Sequence, residues 1–181
     1  LDCNKFIISL IGGVSGYKRP RLVLEIAKYL TEYTDIIFLI IGDGDEIPSL
    51  KNEIRKAKLP NIRFVKSTLN IGDLINLSDI IISVAKDESF GRTLIEGMAL
   101  KKPVISFSSG GPMEIIENNH NGYLVEDLDC KLFASCITKL YENKDLYIRF
   151  SNNSYNRYLD LFSSEIYCSK YMENFEFIYE K

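Results

Sequence analysis

Asp87-Glu88-Ser89-Phe90-Gly91-Arg92-Thr93-Leu94-Ile95-Glu96-Gly97-Met98-Ala99-Leu100 decides how the chain is read. An apolar run, Ile80-Ile81-Ile82-Ser83-Val84, precedes it, and a second, Val104-Ile105-Ser106-Phe107, follows. The order is strand, polar loop, short helix, strand. Glu88 falls in the loop, Glu96 inside the helix, and Phe90-Gly91 where the helix begins. A helix start offers unbonded N–H groups and the positive end of its dipole. Gly91 lets an anion approach that backbone closely. Carboxylates accept hydrogen bonds from vicinal hydroxyls. The chemistry points to a diphosphate with polyol groups on both sides. The plainer alternative is an ordinary connection carrying two solvated glutamates.

The same alternation runs outward in both directions. Phe6 to Ile11, Ile36 to Ile41 and Ile62 to Val65 read as three earlier strands, Gly122 to Val125 as a shorter sixth. Continuous apolar runs of this length suit strands buried on both faces. Between them lie helical patterns at about 20–30, after Gly42-Asp43-Gly44-Asp45-Glu46 up to Lys58, at 71–77 and at about 128–141. Strands alternating with helices define an α/β fold, a doubly wound parallel sheet of about six strands with helices on both faces. After Tyr141 the pattern is helical only, a tail over about 144–181 rich in Tyr and Phe. That stripe either packs on the domain or faces another lobe.

Length and composition fit one domain. The chain has 181 residues, of which 46% are hydrophobic, enough for a sizeable core. A net charge of −3 argues against a general nucleic-acid binder. No apolar run approaches the ~20 residues of a membrane span. Cys3, Cys130, Cys136 and Cys168 form no Cys-x-x-Cys pair, so reduced buried thiols and a reducing compartment are expected. His120, the lone histidine, lies in a polar turn and is a poor candidate base. The chain opens on Leu1 and runs almost at once into a strand, and is read as a piece of a longer protein.

In a parallel sheet of this kind ligands sit beyond the carboxyl ends of the strands. Lys18, Glu88, Gly91 and Gly110-Gly111 should converge there. Two rival motifs are present in part. Gly13 and Gly16 fit part of G-x-G-x-x-G, but Ile11 fills the first position. Gly42-x-Gly44 has Ile47 in the last, so a nicotinamide dinucleotide is not expected. Asp43-Gly44-Asp45 resembles the metal-binding Asp-x-Asp of GT-A glycosyltransferases.

The larger pattern resembles something else. Glu88-x7-Glu96 enclosing Phe90-Gly91, then Lys102-Pro103-Val104-Ile105 and Gly110-Gly111-Pro112-Met113-Glu114-Ile115-Ile116, resembles the donor-binding half of retaining GT-B glycosyltransferases of group 1. The resemblance covers residues 6–142 well and the tail loosely. It implies a single Rossmann-like nucleotide-sugar-binding domain over 1–181, the C-terminal half of a two-domain hexosyltransferase. Gly12-Gly13-Val14-Ser15-Gly16-Tyr17-Lys18-Arg19 resembles the family's glycine-rich segment ending in a phosphate-binding lysine, with Gly13 where an arginine is usual.

By position, the resemblance implies Lys18 and Glu88 as catalytic groups, Lys18 on the leaving phosphate and Glu88 on the sugar hydroxyls. It places Phe90, Gly91, Arg92 and Thr93 against the diphosphate and Glu96 on the ribose, with Gly13 and Arg19 also lining the donor. The expected partners are a nucleotide-sugar donor and a sugar or lipid-linked acceptor held by an absent N-terminal domain. No nucleic acid, cofactor or metal is expected. The implied setting is cytoplasmic, with the parent able to lie at the inner face of a membrane, and the fragment alone is expected to be inactive. A nucleotide-sugar epimerase and a non-catalytic sugar-nucleotide-binding module remain alternatives.

Overall fold

The computed structural model describes residues 5–67 and 70–179, the side chains of 170 and 173–179 excepted. Six strands, β1 (Phe6–Ile11), β2 (Ile36–Ile41), β3 (Ile62–Val65), β4 (Ile80–Ser83), β5 (Val104–Phe107) and β6 (Gly122–Val125), form one sheet in the order β3-β2-β1-β4-β5-β6. Every pairing is parallel; Phe6 sits opposite Ile36 and Ile11 opposite Ile41. The strand order reverses direction between β1 and β4, and the loops leaving their carboxyl ends flank that point.

Side chains alternate between faces with the strand period of two. Ile8, Leu10, Phe38, Ile40, Ile82 and Phe107 enter one core, packed with residues of α1 (Arg21–Lys28), α2 (Ile47–Ala57) and α6 (Cys130–Glu142). Ile7, Ile11, Leu39, Ile41, Ile81 and Val104 enter the other, packed with residues of α3 (Ile71–Leu77), α4 (Arg92–Ala99) and α5 (Pro112–Ile115). The strands read as unbroken apolar runs because both faces are covered. The helix α5 was not expected from the sequence. It is one turn long, started by Pro112 behind Gly111, and too short to show periodicity.

The tail divides. In α7 (Lys144–Leu161), Phe150 is buried in the first core, while Tyr158 packs against the second together with Phe162 just beyond the helix. The helix thus spans from one face of the sheet to the other. Tyr147 Oη donates to the Asp79 carbonyl, Ser154 Oγ to that of Asn121, and Arg157 to those of Ile115 and Glu114. In α8 (Ser164–Tyr179), Tyr167 and Tyr171 stack on each other and are exposed. Among the described side chains of the aromatic stripe, Tyr158 and Phe162 therefore pack on the core while Tyr167 and Tyr171 do not. Phe175, Phe177 and Tyr179 lie outside the described side chains, and Cys3 outside the described residues. Cys136 is buried and its thiol pushed up to about 11 by desolvation, which makes it inert at neutral pH.

Candidate active site

The candidate site is built where the β1 and β4 loops meet. Residues 12–18 leave β1 and close in a short 3-10 turn, Gly16–Lys18, with Lys18 N donating to the Ser15 carbonyl at 2.9 Å. The β4 loop carries Lys86 to Gly91. Tyr17 Oη donates to the Asp87 carbonyl at 2.8 Å, clasping one loop to the other. Across that seam Lys18 Nζ reaches Glu88 Oε2 at 2.5 Å. The pair is largely shielded, with 29% of the Lys18 and 12% of the Glu88 side chain exposed. It joins residues 70 apart in sequence, beyond the carboxyl ends of adjacent strands.

Gly91 opens α4 at φ 91, a left-handed conformation that strongly favours glycine. No side chain caps this helix among the described residues, so its first N–H groups, those of Arg92 and Thr93, are left for a ligand or water. The loop before it is held from behind. Gly111 N donates to the Glu88 carbonyl at 2.6 Å, and a β-carbon at Gly111 would lie 2.5 Å from the Phe90 carbonyl oxygen. Gly110 and Gly111 are thus the close-packed backing of the Glu88–Gly91 loop. Ser109 adds a side-chain bond, its Oγ accepting from Asp87 N at 2.9 Å.

Glu96 lies on α4, exposed, with no hydrogen bond or ion pair among the described residues. Phe90 is also exposed. Gly13 is exposed, and a β-carbon there would meet nothing within 4 Å. Beside it a cleft of about 220 Å³ runs along the carboxyl ends of β1 and β2, lined by Gly12, Gly13, Gly42, Asp43 and Ser67 among others.

Arg19, expected to line the donor, bonds to neighbouring protein groups. Its Nε donates to the Val84 carbonyl at 2.8 Å and its Nη2 to that of Ala85 at 3.1 Å. Both terminal nitrogens grip Asp127, at 2.7 and 3.2 Å, and the guanidinium carbon sits 5.5 Å from the Phe107 ring centre. Asp127 was missed in the sequence. The available signal was its position just past β6, at the same end of the sheet as the other loops.

The Asp43-Gly44-Asp45 turn packs against the loop that leaves β1. Asp43 accepts from Ser67, its carbonyl accepts from Val14 N at 2.9 Å, and a β-carbon at Gly44 would lie 2.0 Å from the Val14 carbonyl oxygen. Among the described residues no group of three or more His, Cys, Asp or Glu could hold a metal ion. His120 sits in the turn before β6 against Asn153, at the opposite end of the sheet.

The six-stranded parallel Rossmann-like sheet with its flanking helices matches the C-terminal domains of GT-B glycosyltransferases. The family model described as glycosyl transferases group 1 matches residues 1–157, and the chain belongs to that family. It is 27% identical over 163 residues to the N-acetyl-alpha-D-glucosaminyl L-malate synthase of Bacillus anthracis, covering 87% of this chain and 42% of that protein. The structure of a mutant of Staphylococcus aureus TarM, in complex with fondaparinux, alpha-GlcNAc-glycerol and UDP, superposes with a TM-score of 0.88. Its identity is 25%, and the match covers 94% of this chain and 35% of that one. The C-terminal domain of the group 1 protein LpcC from Francisella tularensis superposes at 0.81 with 24% identity, covering 88% of this chain and 87% of that one. The chain spans less than half the length of the first curated relatives that it matches.

Proposed function

We propose that this domain binds a nucleoside-diphosphate sugar and forms the donor side of a retaining hexosyltransferase. The Lys18–Glu88 pair beside the uncapped start of α4 carries the reading. A diphosphate entering there meets the Lys18 ammonium on one side and the Arg92 and Thr93 N–H groups on the other. Lys18 then stabilises the negative charge that grows on the leaving phosphate, a preorganised electrostatic contribution. Glu88, released from Lys18, accepts from hydroxyls of the sugar. Glu96 accepts from the ribose diol. Phe90 and Gly13 form the walls through which the donor enters. Lysine and helix dipole together supply the charge balance that a metal would otherwise provide.

TarM, solved in complex with UDP, supports the choice of a nucleotide ligand. The acceptor, saccharide or lipid-linked, belongs on a second lobe. No helix among the described residues is long and apolar enough to cross a membrane. We place the parent in the cytoplasm, with its acceptor presented there or at the membrane face.

Calorimetric titration with UDP, GDP, ADP and their sugars, with chelator and with Mg²⁺, tests the reading. One nucleoside diphosphate should bind well above the others, equally in both buffers. Absence of binding by all three, or binding abolished by chelator, refutes it. Epimerisation of a bound nucleotide sugar by the parent protein would replace transfer with the epimerase reading.

A further inference from the structure

We propose that Arg19 and Asp127 form a positioning latch that fixes the Lys18 ammonium against Glu88. The inference rests on the donor-site reading above and assigns Arg19 a role behind the ligand rather than on it. Four bonds leave one guanidinium: to the carbonyls of Val84 and Ala85, and two to Asp127. Val84 and Ala85 begin the loop that carries Glu88, and Arg19 directly follows Lys18 in the chain. One side chain therefore ties together the roots of both arms of the ion pair, and the loop after β6 with them. A planar fork holds such a geometry where a lysine would hold only a charge. Phe107 floors the guanidinium, and only 17% of the Arg19 side chain is exposed.

The backbone argues against a merely local role. Arg19 lies at φ 48, in the left-handed region that disfavours any residue with a β-carbon. A glycine would make the same turn with less strain. The arginine is therefore placed against backbone preference, and its side chain supplies what the turn itself does not need. Asp127 completes the fork, and that bond holds its carboxyl below the usual carboxylate range.

The test compares Arg19→Gly, Arg19→Lys and Asp127→Asn with the unaltered chain. The first readout needs no ligand: the NMR signal of the Lys18 side chain and its response to Glu88→Gln. In the unaltered chain that signal should shift when Glu88 is neutralised. In the Arg19 variants it should respond little, while thermal stability of Arg19→Gly changes by no more than a few degrees. The second readout is the ratio of affinities for the best-bound nucleoside diphosphate and its nucleoside. The latch predicts a fall in that ratio on the order of tenfold, since small misplacements of a charged group are costly. Arg19→Lys keeps the charge and loses the fork, so it should resemble Arg19→Gly. Asp127→Asn should fall between. A Lys18 signal that still follows Glu88 in every variant overturns the latch. Failure of the unaltered chain to bind any nucleoside diphosphate would sink the donor reading instead, and the ligand-free readout would still decide the latch.

Discussion

Glu96 and Lys18 separate two roles that a nucleotide site must fill. Glu96 is exposed and unbonded among the described residues, so Glu96→Ala should change stability by no more than ~0.5 kcal/mol. Nucleotide affinity should nevertheless fall by ~1.5–3 kcal/mol, roughly 10- to 150-fold, if its carboxylate grips the ribose. A deoxyribonucleotide should already lack that gain and be indifferent to the mutation; an equal ribose preference in both proteins argues against the assignment. Lys18→Ala should weaken the diphosphate more than the nucleoside, which titration of both ligands would reveal. Asp79 shows a different residue-scale effect. Its carboxylate accepts from Ile7 N at 2.7 Å, yet burial raises its pKa, with the Ile7 N–H and the Lys102 charge opposing. A raised folded-state pKa means that the native state holds the proton longer than the unfolded one. Stability then declines as pH rises from the ordinary carboxylate range through the raised value. Asp79→Asn should remove that decline, visible as a flatter melting temperature between acidic and neutral pH; an unchanged slope would rule Asp79 out.

At the scale of elements, α4 is the helix whose placement matters most. It lies so close to β4 that a β-carbon at Gly97 would sit 2.7 Å from Ile81 Cγ1, and Ile81 is fully buried. Alanine would raise helix propensity by up to ~1 kcal/mol, but overpacking costs ~1–3 kcal/mol, and a buried isoleucine has little room to yield. Gly97→Ala should therefore lower the melting temperature by a few degrees and shift the neighbouring Glu96. Gly111→Ala should act on function instead. Its β-carbon would strike the Phe90 backbone, which cannot move aside as a side chain could. Diphosphate affinity should drop while the circular dichroism spectrum stays native; retained affinity would show that the Phe90-Gly91 loop tolerates displacement. The elements themselves were largely legible. All six strands were located, with only β4 one residue shorter than read, because burial on both faces leaves an unbroken apolar signal. Helix ends moved by one or two residues, as frayed ends do.

For the whole molecule, an open site sets the expectation. The Lys18–Glu88 pair is itself largely shielded, but Phe90 and Glu96 beside it are open to water, which raises the effective dielectric around a bound donor and weakens electrostatic catalysis. A second lobe closing over it would exclude that water and hold the acceptor. We expect this chain to bind donor without transferring sugar. Incubation with nucleotide sugar and candidate acceptors tests that expectation; sugar transfer by the chain alone would contradict it. Tyr167, Tyr171 and Met172 are exposed on α8.

The sequence by itself determined the α/β alternation and the six strands, which follow from periodicity that a chain carries in short windows, and the resemblance of its motifs pointed to the family. The tertiary structure decided which residues meet. The sequence grouped Arg19 with Lys18 as a donor contact, yet the fold turns its guanidinium onto Val84, Ala85 and Asp127. Gly110 and Gly111, a motif in the sequence, became the backing of the Glu88–Gly91 loop on a different strand. Contacts between loops of different strands depend on strand order and loop geometry, and no local pattern encodes the distance from Arg19 to Asp127.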